Sequence, residues 1–221
     1  MTAITAVLQG EQFVSVSFAD RFLLRENRSD KEVSLVPPAL KIEKRHGRHE
    51  ATFYSDDGGL LDGFSQFIAN ALKAGCAAIV VASDSHREAL LPRLHAYGLS
   101  VVSAIDEGRY ISLDVQDVIS QFMVEGMPDA SQFFRVAGDL INGVARGAMS
   151  ERVQVAAECA PRLWAQGMLE AAIRLEELCN QLLTRYAVDI MCGYTLRGFH
   201  EEQERQTFER ICAEHSALHS G

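Results

Sequence analysis

Short apolar runs alternate with longer amphipathic segments along the middle of the chain. Ala51–Tyr54 is a short aromatic run, and in residues 60–72 apolar side chains recur at the spacing of a helix. Gly75 suits the end of that helix, and the small and β-branched run Ala77–Ala82 follows it. A strand that is covered on both faces in a parallel sheet has this composition. Residues 51–83 therefore predict a strand, a helix and a second strand, which form one βαβ unit.

The same alternation continues towards the C-terminus. Further strands are predicted at Ser100–Ala104, Arg109–Leu113, Val153–Ala157 and Val188–Cys192. Further helices are predicted at residues 83–98, Val115–Val124, Ser131–Ala148, Met168–Tyr186 and Glu201–Ala217. Because strands alternate with helices, we expect an α/β domain with a doubly wound, mostly parallel sheet flanked by helices.

The first part of the chain lacks this core periodicity. Phe13–Phe18 alternates like a strand, but a charged stretch and two consecutive prolines, Pro37 and Pro38, come after it. We therefore predict an N-terminal extension or linker over residues 1–45 and a single domain over residues 46–221. The domain is expected to fold without the extension.

Charge and apolar content limit the class of partner. The 221-residue chain has a net charge of −9, and residues 51–221 carry 13 Lys or Arg against 23 Asp or Glu. Binding to nucleic acid relies on Lys and Arg that neutralise phosphates, so we predict no direct nucleic-acid partner. No apolar run reaches the roughly 18 residues of a membrane span, and the first residues lack the pattern of a signal peptide, so we predict no membrane association and a cytoplasmic location. The five cysteines contain no CxxC pair and are expected to be reduced thiols.

The turn after the first strand, Ser55–Gly59, is where an open α/β sheet would present a ligand. A phosphate-binding loop of the GxxxxGK[ST] type would place a lysine here, but residues 51–72 contain neither Lys nor Arg. Instead Asp56, Asp57 and Asp62 place three negative charges near the start of the helix, where Asp56 or Asp57 can act as the cap. We predict that the chain does not bind ATP.

Glu158 is the residue that most strongly indicates chemistry. It follows the predicted strand Val153–Ala157 directly, where an open sheet presents polar groups to a ligand. It could accept a hydrogen bond from a ligand or accept a proton. The alternative is a carboxylate that caps the next turn or pairs with Arg162, since carboxylates at strand ends serve both purposes.

Three further side chains could reach the same edge of the sheet. His49 precedes the first strand, and its alternative role is that of an exposed linker histidine. Tyr54 and Tyr194 each end or follow a strand, and an aromatic ring with a hydroxyl suits a pocket that holds a small, mostly apolar ligand by one polar contact. The alternative for both tyrosines is half-buried packing in the core.

The C-terminal region contains a weaker pattern. Cys212, His215 and His219 are spaced as on one face of a helix, which a metal ion could use. They lie close to the chain end, where helices fray, and no fourth ligand has a matching spacing. Nothing in the spacing supports Cys192 and His215 as a nucleophile and base. We therefore predict no metal and no other cofactor from the sequence.

Several short motifs follow one another in an order that resembles a known family. The motifs are His49 with Phe53-Tyr54, Phe64–Leu72 with Gly75, Ile79–Ala82, Gly98, Gly108 to Asp114, Ala157-Glu158, Leu163-Trp164, Gly167, Leu175-Glu176, Asn180, Cys192-Gly193-Tyr194 and Cys212 with His215. Over residues 46–219 this order resembles the MEDS domain, the methanogen and methylotroph sensory domain. The resemblance implies a RecA-like topology without a Walker A motif, and sensing of small hydrocarbon derivatives in regulators and histidine kinases.

We interpret the chain as a sensory or regulatory domain of signal transduction, with no complete catalytic motif. It is expected to bind a small molecule at the carboxyl ends of the strands, near His49, Tyr54, Asp56, Glu158 and Tyr194, and to act on a protein partner such as a histidine kinase or a transcription regulator. A homodimer is compatible with this interpretation. One alternative is a degenerate ATPase-like hydrolase or transferase with Glu158 as general base, and another is a purely structural interaction module.

Overall fold

The structure is a computed structural model, and it describes residues 47–195, 209–215 and 217–220. The predicted extension over residues 1–45, including Phe13–Phe18, lies outside the described residues. The first eight residues of the predicted last helix, 201–208, lie outside them as well. The domain boundary after residue 45 stays a prediction.

The elements follow one another in the predicted alternation. The strands are β1 (His49–Tyr54), β2 (Ala77–Ala82), β3 (Tyr110–Asp114), β4 (Met123–Val124), β5 (Met127–Pro128), β6 (Val153–Ala157), β7 (Val188–Thr195) and β8 (Ala217–Ser220). The helices are α1 (Asp57–Lys73), α2 (Asp84–Ala96), α3 (Val101–Asp106), α4 (Val115–Ser120), α5 (Ala130–Ala145), α6 (Cys159–Ala165) and α7 (Leu169–Leu183). Residues 209–214 are also helical. None of the helices in the described ranges is long and apolar enough to cross a membrane.

Six strands form the central sheet, in the order β3-β2-β6-β7-β1-β8. Every neighbouring pair in this sheet is parallel. The two short strands β4 and β5 form a separate antiparallel hairpin. The predicted class, a doubly wound parallel α/β sheet flanked by helices, is confirmed.

Alternate residues of each strand pack against two different helical layers. In β2, for example, Ile79 and Val81 belong to one core cluster, whereas Ala78 and Val80 belong to the other. Helices α1, α2 and α3 cover one face of the sheet, which we call the α1 face. Helices α4 to α7 cover the opposite face, which we call the α7 face. The sheet is therefore buried on both sides, as its continuous apolar strands predicted.

The predicted turn around Asp56 starts helix α1. The Asp56 carboxylate accepts a hydrogen bond from the Gly59 backbone N–H at 2.9 Å, so Asp56 is the N-cap. Gly75, at φ 76°, follows the C-cap of the same helix in the left-handed region that favours glycine. At Gly193 in β7, a Cβ atom would lie 2.6 Å from the Phe64 ring, so glycine there lets α1 pack closely on the sheet.

Two predictions of local structure before β6 are wrong. Ser100–Ala104 is not a strand, because Ser100 accepts a hydrogen bond from the Ser103 N–H and caps the short helix α3. The helix predicted at Val115–Val124 ends at Ser120, and the β4–β5 hairpin follows it. In the turn of that hairpin, Glu125 and Gly126 have φ angles of 50° and 80°. These left-handed conformations cannot be part of a right-handed helix.

The predicted terminal helix is also too long. Helical structure stops at residue 214, and Ala217–Ser220 pairs with β1 as the parallel edge strand β8. His215 therefore lies between a helix and a strand, and His219 lies in the strand rather than on a helix face with Cys212. The edge of the sheet has unpaired backbone groups, and hydrogen bonds to them stabilise a strand here more than the weak helical preference of these last residues stabilises a helix.

Candidate functional site

A group of four polar side chains is buried on the α7 face of the sheet. The group consists of Glu176, which lies on helix α7, and of His49, Cys192 and His215, and all four residues are buried. The side chains of His49, Glu176 and His215 expose 0% of their surface. We call these four residues the buried cluster. Polar groups in such a place must be paired, because burial without partners costs several kcal/mol.

Four separate parts of the sequence supply the buried cluster. His49 begins β1, and Cys192 lies in β7, where it pairs in register with Ala51. Since side chains alternate along strands, His49 and Cys192 point to the same face. Glu176 comes from the middle of α7, and His215 directly follows the helical residues 209–214.

The Glu176 carboxylate is the centre of the buried cluster. Its Oε2 atom lies 3.1 Å from His49 Nε2 and 3.5 Å from His215 Nε2. The Cys192 thiol donates to the same oxygen at 3.4 Å and lies 3.5 Å from His49 Nε2. The two imidazole rings are stacked at a tilt, with centroids 4.1 Å apart. One nitrogen of each histidine, the cysteine sulfur and one carboxylate oxygen therefore converge, all within 4.8 Å of one another.

A second layer of contacts orients these groups. Asn180, one turn after Glu176 on α7, donates from its Nδ2 to the backbone oxygen and the carboxylate of Glu214, so its Oδ1 faces His49 Nδ1 at 3.0 Å. His215 Nδ1 lies 2.7 Å from the Ile211 backbone oxygen. Both Nδ1 atoms face acceptors and must donate. Tyr194 donates its hydroxyl to the other oxygen of Glu176, Oε1.

The electrostatics of the buried cluster favour charged Glu176. Burial acts to raise the pKa of the Glu176 carboxyl, but the charges of His215 and His49 outweigh burial and hold that pKa below its usual value. Burial acts to lower the pKa of His215, yet the nearby carboxylate raises it. Burial and the same carboxylate raise the pKa of Cys192 and of Tyr194 well above their ordinary values.

An apolar cavity of about 80 Å³ lies beside the buried cluster on the same face of the sheet. Every lining residue is apolar or a cysteine. The sheet contributes Ile79 and Val155 among others, α5 contributes Phe133 and Leu140, and α7 contributes Cys179. Cys192 lines the cavity as well as belonging to the buried cluster, so the two features share a wall.

Glu158 lies where the sequence predicted, at the carboxyl end of β6, but with other partners than expected. One carboxylate oxygen accepts from the Ser83 backbone N–H at 3.1 Å, and the other lies 2.6 Å from His86 Nδ1. Its side chain does not cap α6, for which Glu158 is the N-cap residue. The hydrogen bond to Glu158 raises the pKa of His86, which burial opposes. Glu158 thus ties the end of β6 to the start of α2.

The other predicted site residues are distributed over both faces of the sheet. Tyr54 is buried on the α1 face, where its hydroxyl lies 3.9 Å from Met191 Sδ, and burial raises its pKa to about 12. Asp56 caps α1 at the carboxyl edge. His49 begins its strand at the opposite edge, and Tyr194 packs on the α7 face. The structure therefore brings His49 and Tyr194 together through Glu176, but not the five residues into one pocket.

Local sequence patterns do not distinguish Glu176, Asn180 or Cys192 as site residues. Glu176 and Asn180 are two polar positions in an amphipathic helix, and the apolar surroundings of Cys192 predict a thiol in the core. The only signal was the order of motifs in the resemblance, which contains His49, all three of these residues and His215. The structure places those positions in contact.

The comparisons with known proteins agree with this resemblance. The model of the family described as the MEthanogen/methylotroph, DcmR Sensory domain (MEDS) matches residues 48–210. The chain belongs to this family. The match ends before His215, whereas the order of motifs in the sequence extends to residue 219. The MEDS family is a family of sensory domains, so a sensory role for the chain is established at this coarse level.

Other searches add little to the MEDS assignment. A search of curated proteins finds no match. Among solved structures, the crystal structure of the KaiC-like protein PH0186 from the hyperthermophilic archaeon Pyrococcus horikoshii OT3 is similar, with 17% sequence identity and a TM-score of 0.48 over 74% of this chain and 69% of that chain. At this level of identity the similarity says nothing about the function of the MEDS domain.

Proposed function

We propose that this MEDS domain senses a small apolar molecule, which binds in the cavity on the α7 face, and that binding is passed to a signalling protein in the cytoplasm. The observation that carries the proposal is the cavity itself, whose walls are made only of apolar residues and cysteines. Residues 51–72 of this chain carry no Lys or Arg that could hold a phosphate, and within the described residues the cavity offers another place for a ligand.

The size and chemistry of the cavity define the class of ligand. Its volume of about 80 Å³ is smaller than the roughly 150 Å³ of an apolar cavity that accepts benzene. Apolar cavities of this kind stay dry, because water needs two or more polar partners. The ligand class is therefore a hydrocarbon derivative with fewer heavy atoms than benzene, held by dispersion and by the removal of its apolar surface from water.

Cys192 and α7 could transmit ligand binding from the cavity to a protein partner. Both contribute to the cavity wall, and both belong to the contacts that hold His215 and Glu214 against the domain. A ligand that shifts α7 or Cys192 would change how the C-terminal segment, residues 209–215 and 217–220, packs against the sheet. Sensing requires such an element with two states of different ligand affinity. We propose the C-terminal segment as the part that a histidine kinase or a regulator contacts.

The enzymatic alternative depends on Glu158 as a general base. Both oxygens of this carboxylate are already engaged within the chain, by Ser83 and by His86. A general base must lie within hydrogen-bond distance of the proton that it removes. Because both oxygens of Glu158 already have partners in the chain, the carboxylate is less available to a substrate. We therefore propose binding rather than catalysis.

Filling the cavity tests the proposal. Ala137 and Ala145 both lie on α5, and both are partly buried against the same core cluster, but only Ala137 lines the cavity. We expect Ala137→Leu to abolish binding and Ala145→Leu to preserve it. The probes are xenon and a series of chlorinated and unsubstituted hydrocarbons of about one to four carbons.

Binding can be read in two ways. A ligand at about 100 times its dissociation constant should stabilise the wild type by about 2.7 kcal/mol, which is a rise of several degrees in the thermal midpoint of unfolding. Trp164, the only tryptophan, packs edge-on against Tyr194 with ring centroids 5.4 Å apart, so its fluorescence reports on the same region. Equal responses from the Ala137→Leu and Ala145→Leu variants would exclude the cavity as the binding site.

A further inference from the structure

We propose that the buried cluster is a binding site for one divalent transition-metal ion, with Zn²⁺ as the best match, and that His49 Nε2, His215 Nε2, Glu176 Oε2 and Cys192 Sγ are the ligands. This proposal does not depend on the function proposed for the cavity. It rests on the spacing of the four ligand atoms, on the contacts that orient them and on a buried nitrogen of His215 that makes no hydrogen bond.

The ligand atoms have the separations of a tetrahedral site. Bonds of about 2.0–2.3 Å from zinc to nitrogen, oxygen and sulfur place the ligand atoms of a tetrahedron about 3.3–3.8 Å apart. Around Glu176 Oε2 the observed separations are 3.1 Å to His49, 3.5 Å to His215 and 3.4 Å to Cys192. His49 and Cys192 lie 3.5 Å apart, and every remaining separation is at most 4.8 Å.

The outer contacts prepare each histidine to bind a metal through Nε2. His49 Nδ1 faces Asn180 Oδ1, and His215 Nδ1 faces the Ile211 backbone oxygen. A ring nitrogen that donates a proton to such an acceptor leaves the lone pair of the other nitrogen for the metal. Tyr194 donates to Glu176 Oε1, which leaves Oε2 as the single ligand oxygen.

His215 Nε2 supplies an independent observation. This atom is fully buried and lies within ion-pair distance of Glu176 Oε2, at 3.5 Å, but among the described residues it has no hydrogen-bond partner of acceptable geometry. A polar atom in such a place loses free energy unless another group pairs with it. A metal ion at the centre of the buried cluster would pair with it directly.

The charges and the ligand types select the ion. A carboxylate and a thiolate would neutralise a divalent cation, and the two histidines would remain neutral. Nitrogen and sulfur ligands exclude Mg²⁺ and Ca²⁺ as preferred ions and favour Zn²⁺ and similar metals. Four protein ligands leave no open position, which is typical of a structural zinc site rather than a catalytic one. The ion would fasten His215, and with it the C-terminal segment, to the sheet.

The first test uses the full chain and metal alone. Protein stripped with a chelator is titrated with Co²⁺, which replaces Zn²⁺ and makes the coordination visible by absorption. We expect saturation at about one equivalent, an absorption spectrum of tetrahedral Co²⁺ with a thiolate-to-cobalt charge-transfer band, and displacement of Co²⁺ by Zn²⁺. No binding, or binding without the thiolate band, would show that the buried cluster is only a hydrogen-bonded ion network and would overturn the proposal.

Variants assign the ligands. Cys192→Ser should remove the charge-transfer band, whereas Cys179→Ser should retain it, because Cys179 lines the same cavity but does not belong to the buried cluster. Asn180→Ala should weaken Co²⁺ binding by roughly 10–100-fold without changing the form of the spectrum, since it removes the partner that orients His49 and the contacts to Glu214 beside His215, but no ligand atom. The Asn180 result remains decisive if Cys192→Ser fails to fold. Retention of the band in folded Cys192→Ser protein would contradict the assignment.

The outcome is separate from that of the cavity experiments. Metal binding is measured without any small molecule, and the response to xenon or hydrocarbons is measured without added metal. One equivalent of metal with no response to hydrocarbons would support the metal site and reject the cavity as a sensor. A response to hydrocarbons without metal binding would support the cavity as the sensor site and reject the metal site.

Discussion

Two contacts between histidine and glutamate within the described residues, at opposite places in the fold, differ mainly in burial. At the carboxyl edge of the sheet, His86 and Glu158 lie 2.6 Å apart and their side chains are 18% and 11% exposed. On the α7 face, His49 and Glu176 lie 3.1 Å apart with 0% exposure of either side chain. The first arrangement fastens a strand end to a helix. The second has a second histidine and a thiol around the same carboxylate oxygen.

This comparison shows why position in the sequence is a weak guide to chemistry. Glu158 directly follows a strand and therefore attracts a functional interpretation, yet water still screens its pair with His86. Glu176 occupies one position in an amphipathic helix, but it has been removed from water completely. Interactions in that environment are stronger, and leaving any member unpaired costs more.

The largest expected difference concerns the two carboxylates. In metal-stripped protein, Glu176→Gln should lower the free energy of unfolding by about 3–5 kcal/mol, because it leaves the buried histidines without their counter-charge. Glu158→Gln should cost about 1 kcal/mol, because glutamine keeps a hydrogen-bond acceptor at the partly exposed edge. Urea denaturation of both variants measures the difference. Equal losses would mean that burial does not separate the two arrangements.

The two buried tyrosines sharpen the comparison between the faces of the sheet. Tyr54 and Tyr194 are each 3% exposed, but only Tyr194 donates to a carboxylate. Tyr194→Phe should therefore cost about 1.5–3 kcal/mol, the scale of a hydrogen bond to a charged group. Tyr54→Phe should cost less than about 1 kcal/mol, because its hydroxyl donates to a methionine sulfur, a weak acceptor, at 3.9 Å. A larger loss at Tyr54 would contradict the ranking.

The edge pair should give a small pH dependence of stability. The hydrogen bond to Glu158, and the charges of Glu158 and Asp57, raise the pKa of His86 above 6.5, although burial opposes them. The His86 contribution is therefore complete below the unfolded pKa and is lost as the pH rises through the folded pKa. Between about pH 5.5 and about pH 8.5, the wild type should lose up to about 1 kcal/mol more than His86→Gln. Parallel urea titrations at the two pH values would reveal any opposite sign.

The smallest expected effect concerns the carboxyl edge as a nucleotide site. Asp56 and Asp57 lie at the start of α1, and residues 51–72 carry no Lys or Arg, so phosphate should be repelled. Isothermal titration with ATP and Mg²⁺ should show no heat of binding. A dissociation constant in the micromolar range would favour the ATPase-like alternative over a sensor.

Local patterns predicted the larger elements because each of these has a strong periodicity of its own. The βαβ unit of residues 51–83, the buried strand β6 and helix α7 were predicted within a few residues of their bounds. The errors at Ser100–Ala104 and after Ser120 occurred where one cap or one turn decides between structures of similar free energy. The strand β8 depends on a partner more than 160 residues away in the sequence, which no local pattern records.

By itself the sequence determined the fold class, the cap at Asp56 and the absence of a phosphate-binding lysine, because each depends on residues that are close along the chain. Through the order of its motifs, it also determined the family. Only the tertiary structure decided which polar residues meet. Residues 49, 176, 192 and 215 are brought together by a parallel pairing of strands, by the placement of α7 and by the return of the chain to the sheet edge. Convergence of this kind is a property of packing, which side-chain periodicity along the chain does not encode.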